Sequence, residues 1–271
     1  MIGSLRFRHT DFSTPAVIPY YSECWYVALG YARSLGRLGV PVYGGSHLRQ
    51  SVTESSRYLR KIFPLESMDE PNEDRILESL INISRSIGGK PVLAITLDKF
   101  AKLAARHLNI LKEYFFVPRL DINLVTSLCD KKKTHLLALQ CGIPTVRTHC
   151  PESTEDVTEF SKTAVFPVAI KASDFSVPDG RPPQKIMLVR SRDELIGEYQ
   201  ELLERDDKPN VILQEYVQGA GTQNWIFCGY FDHQSRPLFT GSGRKLRQLP
   251  TIGGPTTMGV SAYNRKLVSS S

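Results

Sequence analysis

Two lysines stand where their side chains could hold phosphate oxygens. Lys131 lies near the start of DKKKTHLLALQCGIPTVRT (130–148), and Lys171 follows the apolar run of FPVAIKAS (166–173). A lysine ammonium is a compact point charge that suits a polyphosphate, and a lysine at the end of a buried strand needs an anionic partner. Simpler interpretations stay open: a solvated lysine run at a helix start, and a strand end that emerges into solvent.

A third segment, VILQEYVQG (211–219), could recognise a purine base. Adenine presents a donor beside an acceptor, which an unpaired stretch of backbone can complement. The simpler interpretation is a central strand with an exposed glutamate.

A fourth segment, GSGRKLRQLPTIGG (241–254), carries arginines that could do chemistry on an anion. Arg244 and Arg247 could bind a carboxylate or a phosphate bidentately. The simpler interpretation is a basic edge strand that resists aggregation.

In order and spacing, these four segments resemble the ATP-grasp proteins, in particular the carboxylate-amine ligase-like group, in which a Rossmann-like domain precedes the ATP-grasp domain. The resemblance runs from residue 15 to about residue 254. It implies that Lys131 faces the nucleotide phosphates and that Lys171 reaches the α- and β-phosphates. It further implies adenine-binding and catalytic positions, which are Glu215, Tyr216, Val217, Arg244 and Arg247.

Two loops depart from the pattern of these proteins. Where they usually carry a glycine-rich flap, SVPDGRPP (176–183) has one glycine and three prolines. Lys185, which follows this loop, is therefore a further candidate for phosphate binding. No acidic residue follows Gly219 at the position that often contacts ribose, so that contact falls to Gln218 or Thr222.

The implied cofactors are ATP and Mg²⁺, but ligands for the metal are missing from the sequence. ATP-grasp domains hold Mg²⁺ with carboxylates that follow the fourth segment, whereas residues 255–271 contain no acidic residue. Magnesium is a hard cation that prefers carboxylate oxygens. We therefore assign no metal ligand and expect a truncated or alternative terminus, with the ATP-grasp domain incomplete.

The apolar periodicity predicts an α/β fold with a parallel sheet in its first domain. Residues 15–45 read as strand, helix and strand, a β-α-β unit whose helix stops at Gly39. A second helix over 74–87 leads to a strand over 91–96, and EYFFVP (113–118) reads as one more strand.

The second domain is predicted to mix helices with strands. Helices are expected over the ranges 131–141, 155–164 and 193–205, with strands at 166–173, 185–189 and 211–216. Two alternating runs around residues 232–235 indicate a hairpin. The predicted boundaries are a flexible tail (1–14), a Rossmann-like domain (15–121), an incomplete α+β ATP-grasp domain (122–260) and a disordered tail (261–271).

Composition excludes several classes of partner. The formal net charge of +6 is spread along a chain of 271 residues, 34 basic and 28 acidic, which argues against a nucleic-acid partner. No secretory signal or membrane-spanning stretch is evident, and five widely spaced cysteines indicate reduced thiols, so we expect a cytoplasmic protein without a membrane partner. A homo-oligomer stays open.

The resemblance implies ATP-dependent ligation of a small carboxylate to an amine through an acyl-phosphate. Two alternatives stay open. One keeps the fold but uses another nucleophile, as in carboxylases and carbamoyl-phosphate synthases. The other is a non-catalytic module that binds a nucleotide or a partner, which the missing metal ligands favour. Whether this chain is itself an enzyme is left undecided.

Overall fold

The computed structural model describes residues 11–22, 24–47, 52–68, 73–174, 186–217, 219 and 224–269. The chain divides into two compact units that meet in sequence between Cys129 and Asp130. The boundary lies beyond the predicted position at 121 because the helix Ile122–Leu128 packs against the helix Asp98–Arg106 of the first unit. None of the helices in these ranges is long and apolar enough to cross a membrane.

The first unit is built on a four-stranded parallel sheet, as predicted. Its order is β3-β2-β1-β4, with β1 Ala16–Pro19, β2 Val42–Ser46, β3 Leu59–Pro64 and β4 Val92–Leu93. A short 3-10 helix, Val52–Ser55, precedes β3. The α-helices are α1 Trp25–Arg37, α2 Glu73–Ile87, α3 Asp98–Arg106, α4 Leu108–Tyr114 and α5 Ile122–Leu128.

The core of this unit explains where its helices form. Ile76, Leu80 and Ile83 repeat at helical spacing along α2 and are almost fully buried, as the apolar pattern predicts. The predicted strand 113–118 is wrong: Leu111 and Phe115 are both fully buried one helical turn apart, so the chain stays helical to Tyr114. Within the remaining residues of the predicted strand, Phe116 forms an isolated bridge with Val92.

The second unit contains helices α6 Lys131–Gln140, α7 Thr154–Thr163 and α8 Arg192–Arg205, and strands β5 Thr148–His149, β6 Val168–Ala172, β7 Ile186–Val189 and β8 Val211–Glu215. These strands form a four-stranded antiparallel sheet in the order β5-β8-β6-β7. Helices α7 and α8 cover one face, where Val168, Ile170, Val211 and Leu213 are fully buried. Each of these helices begins at a serine whose side chain accepts a backbone N–H.

A three-stranded antiparallel sheet, β11-β10-β9, completes the second unit. Its strands are β9 Trp225–Phe231, β10 Pro237–Gln248 and β11 Thr256–Ser261, and the hairpin predicted at 232–235 is confirmed between β9 and β10.

The structure describes most of the predicted C-terminal tail and only the last residues of the predicted N-terminal tail. Within 261–271, which was predicted to be disordered, the chain forms helix α9, Arg265–Ser269. Asn264 anchors this helix: its N–H donates to Ser242 Oγ, and its Oδ1 accepts from the N–H of Leu267. Residues 1–10 of the predicted N-terminal tail lie outside the described residues.

Candidate functional site

A pocket of about 220 Å³ in the second unit is lined by residues of both its sheets. Strands β6 and β8 bring Lys171 and Gln214 to it, and β10 brings Lys245 and Gln248. The chain that follows β8 adds Tyr216 and Val217. The structure therefore brings together Lys171, Glu215, Tyr216 and Val217, four of the residues singled out from the sequence.

The ammonium group of Lys171 is held by a neutral partner. Its Nζ donates to Gln214 Oε1 at 2.6 Å, and Gln214 Nε2 donates in turn to Thr148 Oγ1 at 2.9 Å. Strand register explains the contact: Ala169 pairs with Gln214, so Lys171, two residues further along β6, shares its face of the sheet. Burial lowers the pKa of Lys171. No carboxylate in the described part of the chain pairs with this ammonium, which leaves a poorly solvated positive charge facing the pocket.

A second lysine, Lys245, lines the same pocket from β10. Its Nζ donates to Gln248 Oε1 at 2.8 Å and to the carbonyl of Gly254 at 3.0 Å. Both partners are neutral, as for Lys171. The pocket thus contains two ammonium groups, each hydrogen-bonded to a glutamine.

The chain after β8 offers unpaired backbone at the pocket. The N–H of Tyr216 donates to the carbonyl of Pro167 at 2.9 Å, which continues the sheet by one step. Among the described residues, neither the carbonyl of Tyr216 nor the N–H of Val217 has a hydrogen-bond partner. These two groups belong to one trans peptide unit and point in opposite directions, so one of them at a time can bond to an edge atom of adenine.

The carboxylate of Glu215 is engaged elsewhere. Its Oε1 accepts from the N–H of Val165 at 2.9 Å and from Arg147 Nη1 at 3.3 Å. Glu215 pairs with Val168 and, by alternation along β8, its side chain points to the face that α7 and α8 cover. The structure therefore gives this side chain a contact that fixes the end of β8, and turns it away from the face of the sheet that carries Lys171 and Gln214.

Lys131, the first residue of α6, is not among the residues that line the pocket. Its Nζ donates to the carbonyls of Ala172 at 2.8 Å and Ser173 at 3.3 Å, at the end of β6. Asp130 caps the helix by accepting from the N–H groups of Lys132 and Lys133. The ammonium of Lys131 thus lies at the strand end that follows Lys171.

The two arginines expected to be catalytic also lie outside the pocket lining. Arg244 pairs with Val260 and Arg247 with Met258 on β11, and both arginine side chains are exposed. A register shift between Lys245 and Arg247 interrupts the alternation of β10.

Sequence reasoning missed Gln214, Lys245 and Gln248. A polar residue inside the apolar run VILQEY marks Gln214, but the bulge in β10 has no sequence signal that separates Lys245 from its arginine neighbours. Three other candidates, Lys185, Gln218 and Thr222, lie outside the described residues, as does the loop 176–183.

The groups in the pocket suit an anion better than a metal ion. No group of three or more His, Cys, Asp or Glu side chains that could hold a metal occurs in the described ranges. Glu215, the acidic residue among the lining, is already bonded to Arg147 and Val165. The residues present therefore do not fit the carboxylate set that Mg²⁺ takes, whereas two ammonium groups fit a polyphosphate.

Solved structures of other proteins identify the fold of this chain. No protein-family model matches the sequence, and no curated protein matches it. Among solved structures, the chain is similar to an L-amino acid ligase from Bacillus licheniformis, with 13% identity, a TM-score of 0.63, and coverage of 94% of this chain and 56% of the ligase. The chain has the ATP-grasp fold.

Two further structures with the ATP-grasp fold contain a bound nucleotide. One is the biotin carboxylase domain of Hydrogenobacter thermophilus 2-oxoglutarate carboxylase with MgADP, ADP and bicarbonate (TM-score 0.58, 15% identity, 86% of this chain and 50% of that one). The other is N5-carboxyaminoimidazole synthetase from Staphylococcus aureus with ADP (TM-score 0.58, 13% identity, 87% and 56%). The chain thus spans about half the length of the solved structures that it matches.

Proposed function

We propose that this chain binds ATP in the pocket of its second unit, with the phosphates against Lys171 and the adenine along the backbone of Tyr216 and Val217. The observation that carries the proposal is the environment of Lys171. Its side chain is partly buried, which lowers the pKa of the ammonium, and the ammonium is bonded to the neutral Gln214 beside the unpaired backbone groups that follow β8. A charge in such a place is stabilised by an anion that enters the pocket.

The ATP-grasp fold supports a reaction class for the whole protein, in which ATP activates a carboxylate for attack by an amine. A carboxylate oxygen attacks the γ-phosphorus, which forms an acyl-phosphate and releases ADP. The amine then attacks the acyl carbon and displaces phosphate. The similar structures include an amino acid ligase and enzymes with bound ADP, which agrees with this class. The residues of this chain contribute by holding the triphosphate with its γ-phosphate presented to the acceptor.

Calorimetry with ATP tests the binding step. We expect saturable binding to the wild-type chain and at least about tenfold weaker binding to Lys171→Ala, because a hydrogen bond to a charged group contributes roughly 1.5–3 kcal/mol. Lys162→Ala, which removes an exposed lysine paired with Glu159, is the matched control and should bind as the wild type does. A folded wild-type chain that does not bind ATP would contradict the proposal.

A second function is a module that binds the nucleotide without turning it over. It is favoured because Glu215, the acidic residue among the described lining residues, is already bonded to Arg147 and Val165. ADP formation in the presence of mixed L-amino acids, or of bicarbonate, separates the possibilities. Turnover with the amino acids supports ligation, and turnover with bicarbonate supports a carboxylase-like reaction. Saturable ATP binding without turnover under either condition supports the binding module.

A further inference from the structure

Two glutamines contact the ammonium groups of the pocket in the same way. Gln214 Oε1 accepts from Lys171 Nζ at 2.6 Å, and Gln248 Oε1 accepts from Lys245 Nζ at 2.8 Å. The two pairs come from different sheets, the first from β8 and β6, and the second from β10 alone. Neither glutamine was predicted from the sequence, and the two pairs together suggest a shared role.

Each glutamine amide is oriented by an acceptor on its nitrogen side. Thr148 Oγ1 donates its proton to the carbonyl of Val146 at 2.8 Å, so its oxygen is left to accept from Gln214 Nε2. Gln248 Nε2 donates to the carbonyl of Thr251, which can only accept. In both glutamines, therefore, the amide oxygen must face the lysine. Neither amide can flip without breaking a hydrogen bond on each of its two sides.

An amide oxygen fixes an ammonium group without cancelling its charge. A carboxylate in the same place would form an ion pair with the lysine and weaken the positive potential that attracts an anionic ligand. An ammonium has three donors. Among the described residues, Gln214 takes one donor of Lys171, while Gln248 and Gly254 take two of Lys245, so both lysines retain donors for an incoming oxygen.

We infer that Gln214 and Gln248 are positioning residues that hold Lys171 and Lys245 as two uncompensated cations for the polyphosphate of the nucleotide. This makes Lys245 a second phosphate-binding residue. The inference rests on the proposed function for the identity of the ligand as a nucleotide. What is new is the pairing of each lysine with a neutral amide that is held in one orientation.

Replacement of each glutamine by glutamate tests this pairing, because the shape is kept while the lysine acquires a counter-charge. We expect Gln214→Glu and Gln248→Glu each to weaken binding of ATP and of inorganic tripolyphosphate about tenfold. Gln214→Met and Gln248→Met, which remove the acceptor without adding charge, should weaken ATP binding less. Thermal unfolding of all four variants shows whether they are folded.

The pH dependence separates positioning from a structural role. In Gln214→Glu the new carboxylate stabilises the charged form of Lys171, so the alkaline loss of ATP binding should move to higher pH than in the wild type. Folded glutamate variants that bind ATP and tripolyphosphate as tightly as the wild type, with an unchanged pH profile, would overturn the inference and leave the proposed function standing. A wild-type chain that binds tripolyphosphate but not ATP would overturn the proposed function, while the role of Lys171 and Lys245 in polyphosphate binding would still hold. If it binds neither, both fail.

Discussion

The two sheets of the second unit line one pocket but differ in how they are covered. In the four-stranded sheet, Ile170 and Leu213 are fully buried beneath α7 and α8. In the three-stranded sheet, every residue of β11 is exposed, and Met258 keeps 50% of its accessible surface. The comparison indicates that the first sheet supplies most of the stability of the unit, while the second brings Lys245 and Gln248 to the pocket on a less supported scaffold.

Truncation of one apolar residue in each sheet tests this division most strongly. Leu213→Ala should lower the free energy of unfolding by about 2–5 kcal/mol, because it leaves a cavity in a packed core. Val260→Ala on β11 removes a side chain that is 43% exposed, and should cost no more than about 1 kcal/mol. Urea denaturation followed by circular dichroism gives both values. Similar losses at the two positions would refute the comparison.

The pH dependence of ATP binding should report the desolvated lysine of the four-stranded sheet. Burial lowers the pKa of Lys171, so its ammonium is fully charged only below that lowered pKa. ATP affinity should therefore fall as the pH rises through the lowered pKa, before an ordinary lysine would titrate. The other titratable groups of the pocket lining are Lys245, Glu215 and Tyr216.

Lys171→Arg is the matched variant for this pH titration, because its guanidinium stays protonated throughout the range. If the alkaline decline is the same in Lys171→Arg and in the wild type, another group is responsible for it.

The residues that cap one helix beside each sheet should differ in the same direction, with smaller effects on stability. Ser153 Oγ accepts from the N–H of Asp156 at the start of α7, and Ser153→Ala should cost about 1 kcal/mol because α7 packs on the buried sheet. Asn264 Oδ1 caps the five-residue helix α9, and Asn264→Ala should change the free energy of unfolding by less than about 0.5 kcal/mol. Thermal unfolding of both variants would show the difference, and a larger loss for Asn264→Ala would contradict it.

The smallest effect is expected for Glu215→Gln. The pair with Arg147 is partly exposed, and an amide can still accept from the N–H of Val165, so the stability loss should stay below about 1 kcal/mol. ATP affinity should change by less than about threefold, because the carboxylate points away from the base. A much larger loss of ATP affinity in calorimetry would return Glu215 to the role that its sequence pattern first implied.

Local patterns predicted most of the elements. The apolar run 16–18, the helical period of α1 and the stop at Gly39, whose φ of +85° suits glycine, gave the β-α-β unit. Lys171 was also singled out from the sequence, because a lysine at the end of an apolar strand is a local signal.

Register between strands was not predictable, since it depends on pairing between distant segments. The contact of Lys171 with Gln214 arises from the pairing of β6 with β8, and a register shift in β10 separates Lys245, which lines the pocket, from the exposed Arg247. Glu215 was assigned to adenine from its motif, but alternation along β8 turns its side chain towards α7 and α8.

The most direct test of the central claim is a structure of this chain with a non-hydrolysable ATP analogue. We expect phosphate oxygens within hydrogen-bonding distance of Lys171 Nζ and Lys245 Nζ, and adenine bonded to the backbone of Tyr216 or Val217. An analogue whose phosphates lie against Arg244 and Arg247, or one bound outside this pocket, would contradict the account.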